Sequence, residues 1–222
     1  EVIAVDIDEN GLKKHNFSSR VSKQCLDITD EAQAKKLIDD IVDQFGGLDI
    51  LISNAGSAMQ SSILEMDIKD LRKSFEINFF SHFFLAKLVG QLFVEQGNNG
   101  QILFNISKQA VNPGSNFGAY GLPKATLMFL VKQLALEFGG YGIRINGVNA
   151  DRIRSGLLNE EFVKKRAKVR GISVQEYMKG NLLKQEVQAH HVASAFVYLS
   201  LSERTTGHVI TVDGGNIEAS LR

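Results

Sequence analysis

Short apolar runs alternate along this chain with longer segments in which apolar residues recur at helical spacing. The first run, at 2–7, is almost unbroken, as expected of a strand that is covered on both faces. Gly46-Gly47 ends the first long helical segment, and Gly97-Asn98-Asn99-Gly100 forms a turn after the second. This alternation predicts an α/β fold built on a doubly wound parallel sheet.

The element boundaries are predicted from capping residues and helix breakers. We predict strands at 2–7, 24–28, 48–53, 102–106, 142–148 and 209–212. Helices are predicted after the capping residues Asp30 and Asp67, and also at 120–138 and 189–201, with a helical excursion at 157–186. Pro123 supports a helix start near Tyr120, because proline is tolerated in the first turn of a helix and not deeper. Neither a repeat nor a linker divides the 222 residues, so a single domain is predicted.

Composition argues against several classes of function. The chain has 25 basic and 25 acidic residues, so no positive excess would attract nucleic acid. The longest apolar candidate, at 77–94, is interrupted by polar residues, so we expect no membrane span. A single cysteine, Cys25, allows no internal disulfide and suits a reducing cytoplasm. The adjacent His190 and His191 point in different directions on their helix, and no metal site is predicted.

The chemistry of the chain concentrates around Tyr120-Gly-Leu-Pro-Lys124 and Ser107. A tyrosine and a lysine four residues apart lie on one face of a helix, where the ammonium favours the phenolate. A tyrosine with an ordinary pKa near 10 then becomes a usable proton donor or acceptor. Ser107 follows a buried strand and is predicted to hold a substrate oxygen. Asn54-Ala55-Gly56 follows an earlier strand and completes the combination.

With these motifs together, the chain resembles the short-chain dehydrogenase/reductase family from residue 1 to about residue 216. The resemblance implies a Rossmann-type fold that reduces or oxidises alcohols and carbonyls with NAD or NADP. That family opens with a strand, a Gly-x-x-x-Gly-x-Gly turn and a helix, whereas this chain begins at what resembles the second strand. The domain at 1–222 is therefore predicted to be N-terminally incomplete, lacking its first β-α unit. We expect the intact protein to have residues before Glu1, because the missing strand would lie between the strands that begin at Val2 and Leu48.

The resemblance also implies catalytic roles. For oxidation, Tyr120 as phenolate takes the alcohol proton, and Ser107 hydrogen-bonds the developing carbonyl. Lys124 lowers the tyrosine pKa and holds the nicotinamide ribose. Asn78, inside an otherwise apolar helix, anchors a proton relay through water; the alternative is a purely structural amide.

Cofactor contacts are implied at several strand ends. Asp6 matches the acidic residue that accepts both ribose hydroxyls and repels a 2′-phosphate, which favours NAD over NADP; the alternative is an ordinary strand-end acid. Asp27 and Ile28 match the position beside the adenine, where Asp27 could equally be a turn residue. The backbone of Asn54, Ala55 and Gly56 would pass close to the dinucleotide, since glycine permits close approach; a plain tight turn is the alternative.

Residues 148–155 align with the family pattern Val-Asn-Pro-Gly-x-Val-x-Thr, which meets the nicotinamide. Through this match Ile153 and Ser155, with Tyr120 and Lys124, join the cofactor-binding set. Asp151 places a carboxylate where the pattern has no side chain. For Arg152 and Arg154 three interpretations stay open, namely pairing with Asp151, contact with substrate, and plain solvation.

Two surface features have alternative interpretations. Residues 157–186 correspond to the variable substrate lid of the family, and their basic run could hold a phosphorylated or acidic substrate, or form a solvated face. A belt of phenylalanines exceeds one helix face, which favours a homodimer or homotetramer over packing within one subunit. Its members are Phe75, Phe79, Phe80, Phe83 and Phe84.

The segment from Asn149 onward resembles the C-terminal dehydrogenase domain of bifunctional aldolase/short-chain dehydrogenase proteins. We therefore predict a cytoplasmic NAD-dependent oxidoreductase that interconverts a small alcohol or polyol, sugar- or aldehyde-derived, with its carbonyl form. One alternative is a catalytically inactive fragment or interaction module with the same fold. Another is the dehydrogenase half of a bifunctional enzyme with an upstream aldolase domain, acting on lactaldehyde or a sugar phosphate.

Overall fold

A computed structural model describes residues 1–216 of the chain. Its strands are β1 (Val2–Asp6), β2 (Val21–Cys25), β3 (Ile50–Ser53), β4 (Gln101–Asn105), β5 (Arg144–Ala150) and β6 (Val209–Val212). Its helices are α1 (Glu9–Lys14), α2 (Glu31–Phe45), α3 (Ile68–Phe75), α4 (Ser81–Gln96), α5 (Gly118–Phe138), α6 (Glu160–Val169), α7 (Val174–Met178) and α8 (Ala189–Leu201). The predicted alternation of strands and helices is confirmed.

All strand pairings are parallel, and the described strands form two hydrogen-bonded sheets. One sheet pairs β1 with β2, and the other has the order β3-β4-β5-β6. β1 and β3 are not hydrogen-bonded to each other within residues 1–216. Val2 of β1 is 56% exposed and Ile52 of β3 is 50% exposed. The prediction that the first strand is covered on both faces is therefore wrong, because a two-stranded sheet gives it too few packing neighbours.

Helices cover both faces of the larger sheet, as a doubly wound fold requires. Ile102 and Phe104 of β4 point into one hydrophobic cluster with residues of α4 and α5. Leu103 between them points to the opposite face, where it packs with Val192 and Phe196 of α8. This alternation is the two-residue period of a strand, and it places β4 in the centre of the core.

Several boundaries differ from the sequence prediction. β2 begins and ends three residues earlier than predicted at 24–28. The predicted helix after Asp67 is α3 and α4 joined by a π-helical turn, Glu76–Phe80. The predicted helical lid divides into α6 and α7. α5 begins at Gly118, so Pro123 lies beyond its first turn, and the proline rule located this helix start only approximately.

The continuous helical segment Ile68–Gln96 meets the length and composition criteria for a membrane span. However, 44% of its most apolar window is buried inside the protein. Its residues Ala86, Val89 and Phe93 belong to the main hydrophobic cluster. This packing is typical of a core helix, so one such segment is weak evidence for a membrane.

Candidate active site

β4 and α5 bring Ser107 and Tyr120 to one cavity of about 570 Å³. Ser107 lies two residues after β4, and its hydroxyl accepts a 3.3 Å hydrogen bond from the Gln109 backbone as it caps a short 3₁₀ helix. Tyr120 lies in the first turn of α5, and its side chain lines the same cavity as Ser107. The predicted pair of a substrate-holding hydroxyl and a proton-transferring phenol is thus brought together.

Lys124 lies behind the phenol, one helical turn along α5. Its side chain is almost completely buried, its Nζ lies 5.9 Å from the centre of the Tyr120 ring, and it donates a 2.8 Å hydrogen bond to the Asn105 carbonyl. Burial lowers the pKa of Lys124 to about 8. Lys124 is therefore still protonated at neutral pH, but it loses its proton at a pH about two units lower than an exposed lysine does.

The predicted lowering of the Tyr120 pKa by Lys124 is wrong for this structure. Burial raises the pKa of the Tyr120 phenol, and the nearby Ser107 hydroxyl opposes that rise only in part. The physical reason is that the phenol is removed from water, which disfavours its charged form, while the Lys124 ammonium is directed at the Asn105 carbonyl.

Asn78 lies in the π-helical turn and is completely buried. Its amide forms a two-way bridge to Ser57, accepting from the Ser57 backbone N–H at 3.1 Å and donating to the Ser57 carbonyl at 2.9 Å. A Cβ atom on Gly56 would lie 3.0 Å from the Asn78 oxygen and 3.8 Å from Lys124 Nζ. Asn78 therefore holds the 54–57 loop against the buried lysine, which is a structural role; its predicted part in a proton relay stays a prediction.

Ser74 donates a hydrogen bond to the carbonyl of Ala119, four residues before Pro123, and the sequence did not predict this contact. Proline has no backbone N–H, so Pro123 cannot donate the helical bond to the carbonyl of Ala119 four residues earlier. The Ser74 hydroxyl of α3 donates to that carbonyl at 2.7 Å and accepts from the Asn78 amide at 3.0 Å. A proline next to the predicted lysine was the available signal, because it implies a carbonyl that needs another donor.

Some of the residues predicted to contact the nicotinamide line the cavity, and others do not. Asn54, Ile153 and Ser155 line the same cavity as Ser107 and Tyr120. Ala55 and Gly56 follow Asn54 in the loop after β3 and do not line it. Asn105 donates to the Asn54 side chain at 2.7 Å, while its own side-chain oxygen is buried without a donor from residues 1–216.

The residues predicted to contact the adenosine lie outside this cavity. Asp6 ends β1 and Asp27 follows β2, and both carboxylates are exposed. Asp6 accepts from the Asp8 backbone at 2.9 Å, and Asp27 accepts from both the backbone and the hydroxyl of Thr29 at 2.9 and 2.8 Å. These two carboxylates, with Ile28, do not line the cavity, and each acid stabilises its local turn.

Asp151 is the centre of a buried ion network. Its carboxylate, 4% exposed, lies 2.6 Å from Lys108 Nζ and 3.1 Å from an Arg152 nitrogen, and it accepts from the Asn216 amide at 2.7 Å. Burial favours the neutral acid, but Lys108 and Arg152 outweigh it and hold the pKa of Asp151 below its ordinary value. Pairing with Asp151 is therefore the correct interpretation for Arg152, whereas Arg154 pairs with Glu186 at 2.7 Å. Lys108 was missed by sequence reasoning, since its partner lies 43 residues later.

The described residues offer no cluster of three or more histidine, cysteine or acidic side chains that could hold a metal ion. His82 is buried with its Nδ1 2.6 Å from the Ser53 hydroxyl, as expected of an interior residue. Phe75, Phe79 and Phe84 are half-buried, whereas Phe80 and Phe83 are exposed on the same helical segment.

The chain is similar to known proteins, several of which are oxidoreductases. The family model described as Enoyl-(Acyl carrier protein) reductase matches residues 1–216. YuxG of Bacillus subtilis (strain 168), an uncharacterized oxidoreductase, is 30% identical over 198 residues, which is 86% of this chain and 29% of YuxG. L-2,3-butanediol dehydrogenase of Corynebacterium glutamicum is 30% identical over 195 residues, which is 86% of this chain and 76% of that enzyme. The solved structure of ElxO with NADP bound has a TM-score of 0.84 at 26% identity, covering 97% of this chain and 88% of that chain.

Proposed function

The chain belongs to the short-chain dehydrogenase/reductase family, and we propose that it interconverts a small alcohol or polyol and its carbonyl form with NAD. The observation that carries the proposal is the meeting of Ser107 and Tyr120 in one cavity, with Lys124 buried behind the phenol. The relation to L-2,3-butanediol dehydrogenase supports a small polyol as the substrate class.

The polar groups on the cavity wall fit a nicotinamide. A carboxamide offers N–H donors, which suits the buried and unpartnered oxygen of Asn105, and Asn54 and Ser155 add polar groups beside it. These groups lie at or beyond the carboxyl ends of parallel strands, where α/β sheets bind such ligands. When bound, a nicotinamide supplies or accepts the hydride.

The side chains of the cavity perform the proton chemistry. In the direction of reduction, Ser107 donates a hydrogen bond to the carbonyl oxygen and polarises it. Tyr120 gives its phenolic proton to that oxygen as the hydride reaches the carbon, so the carbonyl π bond breaks while O–H and C–H bonds form. Burial keeps the pKa of Tyr120 raised, and a protonated phenol at neutral pH suits this donor role. Oxidation runs the same steps in reverse and requires the phenolate.

The experiment that tests the proposal is Tyr120→Phe, which removes the proton-transferring oxygen and little else. General acid–base catalysis contributes roughly 100- to 10,000-fold, so turnover should fall by that order while NAD binding, measured by calorimetry, stays within about twofold. Tyr141→Phe is the matched control, because that tyrosine is exposed and lies outside the cavity. Turnover of Tyr120→Phe within a few-fold of the parent would remove Tyr120 from the mechanism.

A second candidate is an interaction module with the same fold and no catalysis. It is favoured by the separation of the two sheets, since β1 and β3 are not hydrogen-bonded within residues 1–216. NAD-dependent turnover of a small alcohol or carbonyl that is lost in Tyr120→Phe would exclude it. The residues expected before Glu1, the upstream aldolase domain and cytoplasmic localisation stay predictions. Self-association is supported by exposed apolar side chains on α5, among them Leu122, Phe129 and Leu136.

A further inference from the structure

The cavity that holds Ser107 and Tyr120 carries an excess of positive charge. Its wall includes four cationic side chains and one carboxylate, namely Lys108, Arg152, Arg166, Arg170 and Asp151. The whole chain has equal numbers of basic and acidic residues, 25 of each. The positive excess is therefore a local property of this cavity and does not follow from the overall charge.

Two of these cations already have a partner. Lys108 and Arg152 share the single carboxylate of Asp151, at 2.6 and 3.1 Å. Arg152 also donates to the carbonyls of Tyr177 and Gly180, so it is held in place by the lid. Asp151 thus balances one charge of this pair, and the geometry of both cations is explained by packing within the protein.

The other two cations lie on the lid without an ion-pair partner. Arg166 lies in the last turn of α6, and Arg170 follows that helix as its C-cap residue with a helical backbone, so the two are four residues apart on the same side. Neither forms an ion pair with a carboxylate of the described chain at 1–216. The lysines of the same helix, Lys164, Lys165 and Lys168, are exposed and do not line the cavity. The three lysines therefore form a solvated face, whereas the arginines line the cavity, with Arg166 half-buried and Arg170 still largely exposed to solvent.

An aromatic ring lies next to each of the two guanidinium groups. Arg166 lies over the Phe117 ring at 5.0 Å, three residues before Tyr120, and donates to the Ser115 carbonyl at 3.4 Å. Its Nε is buried and has no hydrogen-bond acceptor within residues 1–216. Arg170 lies over the Tyr177 ring at 5.3 Å. A guanidinium packed near an aromatic ring still has N–H groups to donate to a carboxylate or phosphate, whose geometry it matches with two parallel hydrogen bonds.

We infer that the substrate is a hydroxy compound with a negatively charged group, a carboxylate or a phosphate, which Arg166 and Arg170 bind while Ser107 and Tyr120 hold the reacting oxygen. This inference rests on the proposed function and names the substrate class of the same site. Charge complementarity carries it, because a cavity with a net charge of +3 attracts anions and excludes cations.

The test is calorimetric titration of the intact protein with small probes at low ionic strength, with and without saturating NAD. Glycolate is the carboxylate probe, inorganic phosphate is the phosphate probe, and ethylene glycol is the uncharged match for glycolate. At least one anion should bind saturably, and ethylene glycol should bind at least about tenfold more weakly than that anion. The preferred anion distinguishes a carboxylate substrate from a phosphorylated one.

Matched variants distinguish specific binding by the two arginines from general electrostatic attraction to a basic surface. Arg166→Gln and Arg170→Gln should each weaken anion binding by about tenfold or more, and Arg166→Lys should retain part of it. Lys165→Gln removes the same charge from the exposed face of α6 and should change the affinity by less than about twofold. Thermal unfolding curves of all variants show whether the fold is kept, and either arginine variant alone suffices if the other does not fold.

Three results would overturn the inference: no saturable binding of either anion, an equal loss in Lys165→Gln, or displacement of the anion by NAD. Displacement by NAD would assign the arginines to a cofactor phosphate. Because calorimetry needs no turnover, the titrations report on the anion site whether or not the protein is catalytically active. Failure of the proposed function would appear in the Tyr120→Phe kinetics, and failure of the anion site would appear only in the titrations.

Discussion

The contact between Ser74 and the Ala119 carbonyl makes a specific prediction about stability. Ala119 is 1% exposed, and its carbonyl receives no helical bond from Pro123, so the Ser74 hydroxyl at 2.7 Å supplies a donor in its place. Ser74→Ala removes that donor and leaves a buried acceptor without it. Leaving a buried polar group unsatisfied costs about 1–3 kcal/mol, so the free energy of unfolding should fall by that amount.

Ser74→Ala should lower the free energy of unfolding by a smaller amount when Pro123 is replaced. In Pro123→Ala the new backbone N–H can donate to the Ala119 carbonyl within α5, so Ser74→Ala no longer orphans it. In the Pro123→Ala background we therefore expect Ser74→Ala to cost about 1 kcal/mol less than in the parent. Asn78 keeps the Ser57 and Ser74 carbonyls as acceptors for its amide in every variant, so it does not confuse the comparison.

Urea unfolding of the parent, both single variants and the double variant measures this coupling, provided that the slopes agree with two-state unfolding. Ser81→Ala is the control, since Ser81 is also a buried serine whose hydroxyl donates to a carbonyl, that of Ile77, within its own helical segment. Its cost should be the same with Pro123 and with Ala at that position. Equal costs of Ser74→Ala in both backgrounds, within about 0.5 kcal/mol, would refute the proposed compensation.

Two further predictions concern charge. If Asp6 faces the 2′-position of the adenosine ribose, its repulsion of a 2′-phosphate should favour NAD over NADP by roughly 1–3 kcal/mol, or about 10- to 100-fold. The kcat/KM values for both cofactors, in the parent and in Asp6→Ala, measure this preference. A preference that is unchanged in Asp6→Ala would contradict the prediction. Burial, assisted by Lys124, lowers the pKa of His82 to about 3. An unfolded histidine titrates near 6.5, so the unfolded state binds more protons between those values, and the free energy of unfolding should fall as pH is lowered from 6.5 towards 3. His82→Gln should flatten that slope in urea titrations at successive pH values, and an identical slope would show that His82 is not its source.

Local signals in the sequence located much of the framework. Asp30 accepts a hydrogen bond from the Gln33 backbone and begins α2 as predicted, and Gly46 ends that helix in the left-handed region with φ of 81°. Asp67 caps α3 in the same way through the Lys69 backbone. These predictions succeeded because a cap or a stop depends on a few consecutive residues. The burial of β1 was mispredicted, since an apolar pattern shows what a strand can bury and not what lies beside it.

The sequence by itself determined the reactive groups of the candidate site. Tyr120 and Lys124 share a helix face because of their spacing, and Ser107 comes just after a strand whose end faces the cavity. The tertiary structure decided how these groups are charged and which others join them. Burial, which sets the pKa of Tyr120 and of Lys124, is a property of the whole packed protein. Contacts such as Lys108 with Asp151 or Ser74 with Ala119 join residues more than 40 positions apart. No local pattern encodes them, because they form only when separate elements pack together.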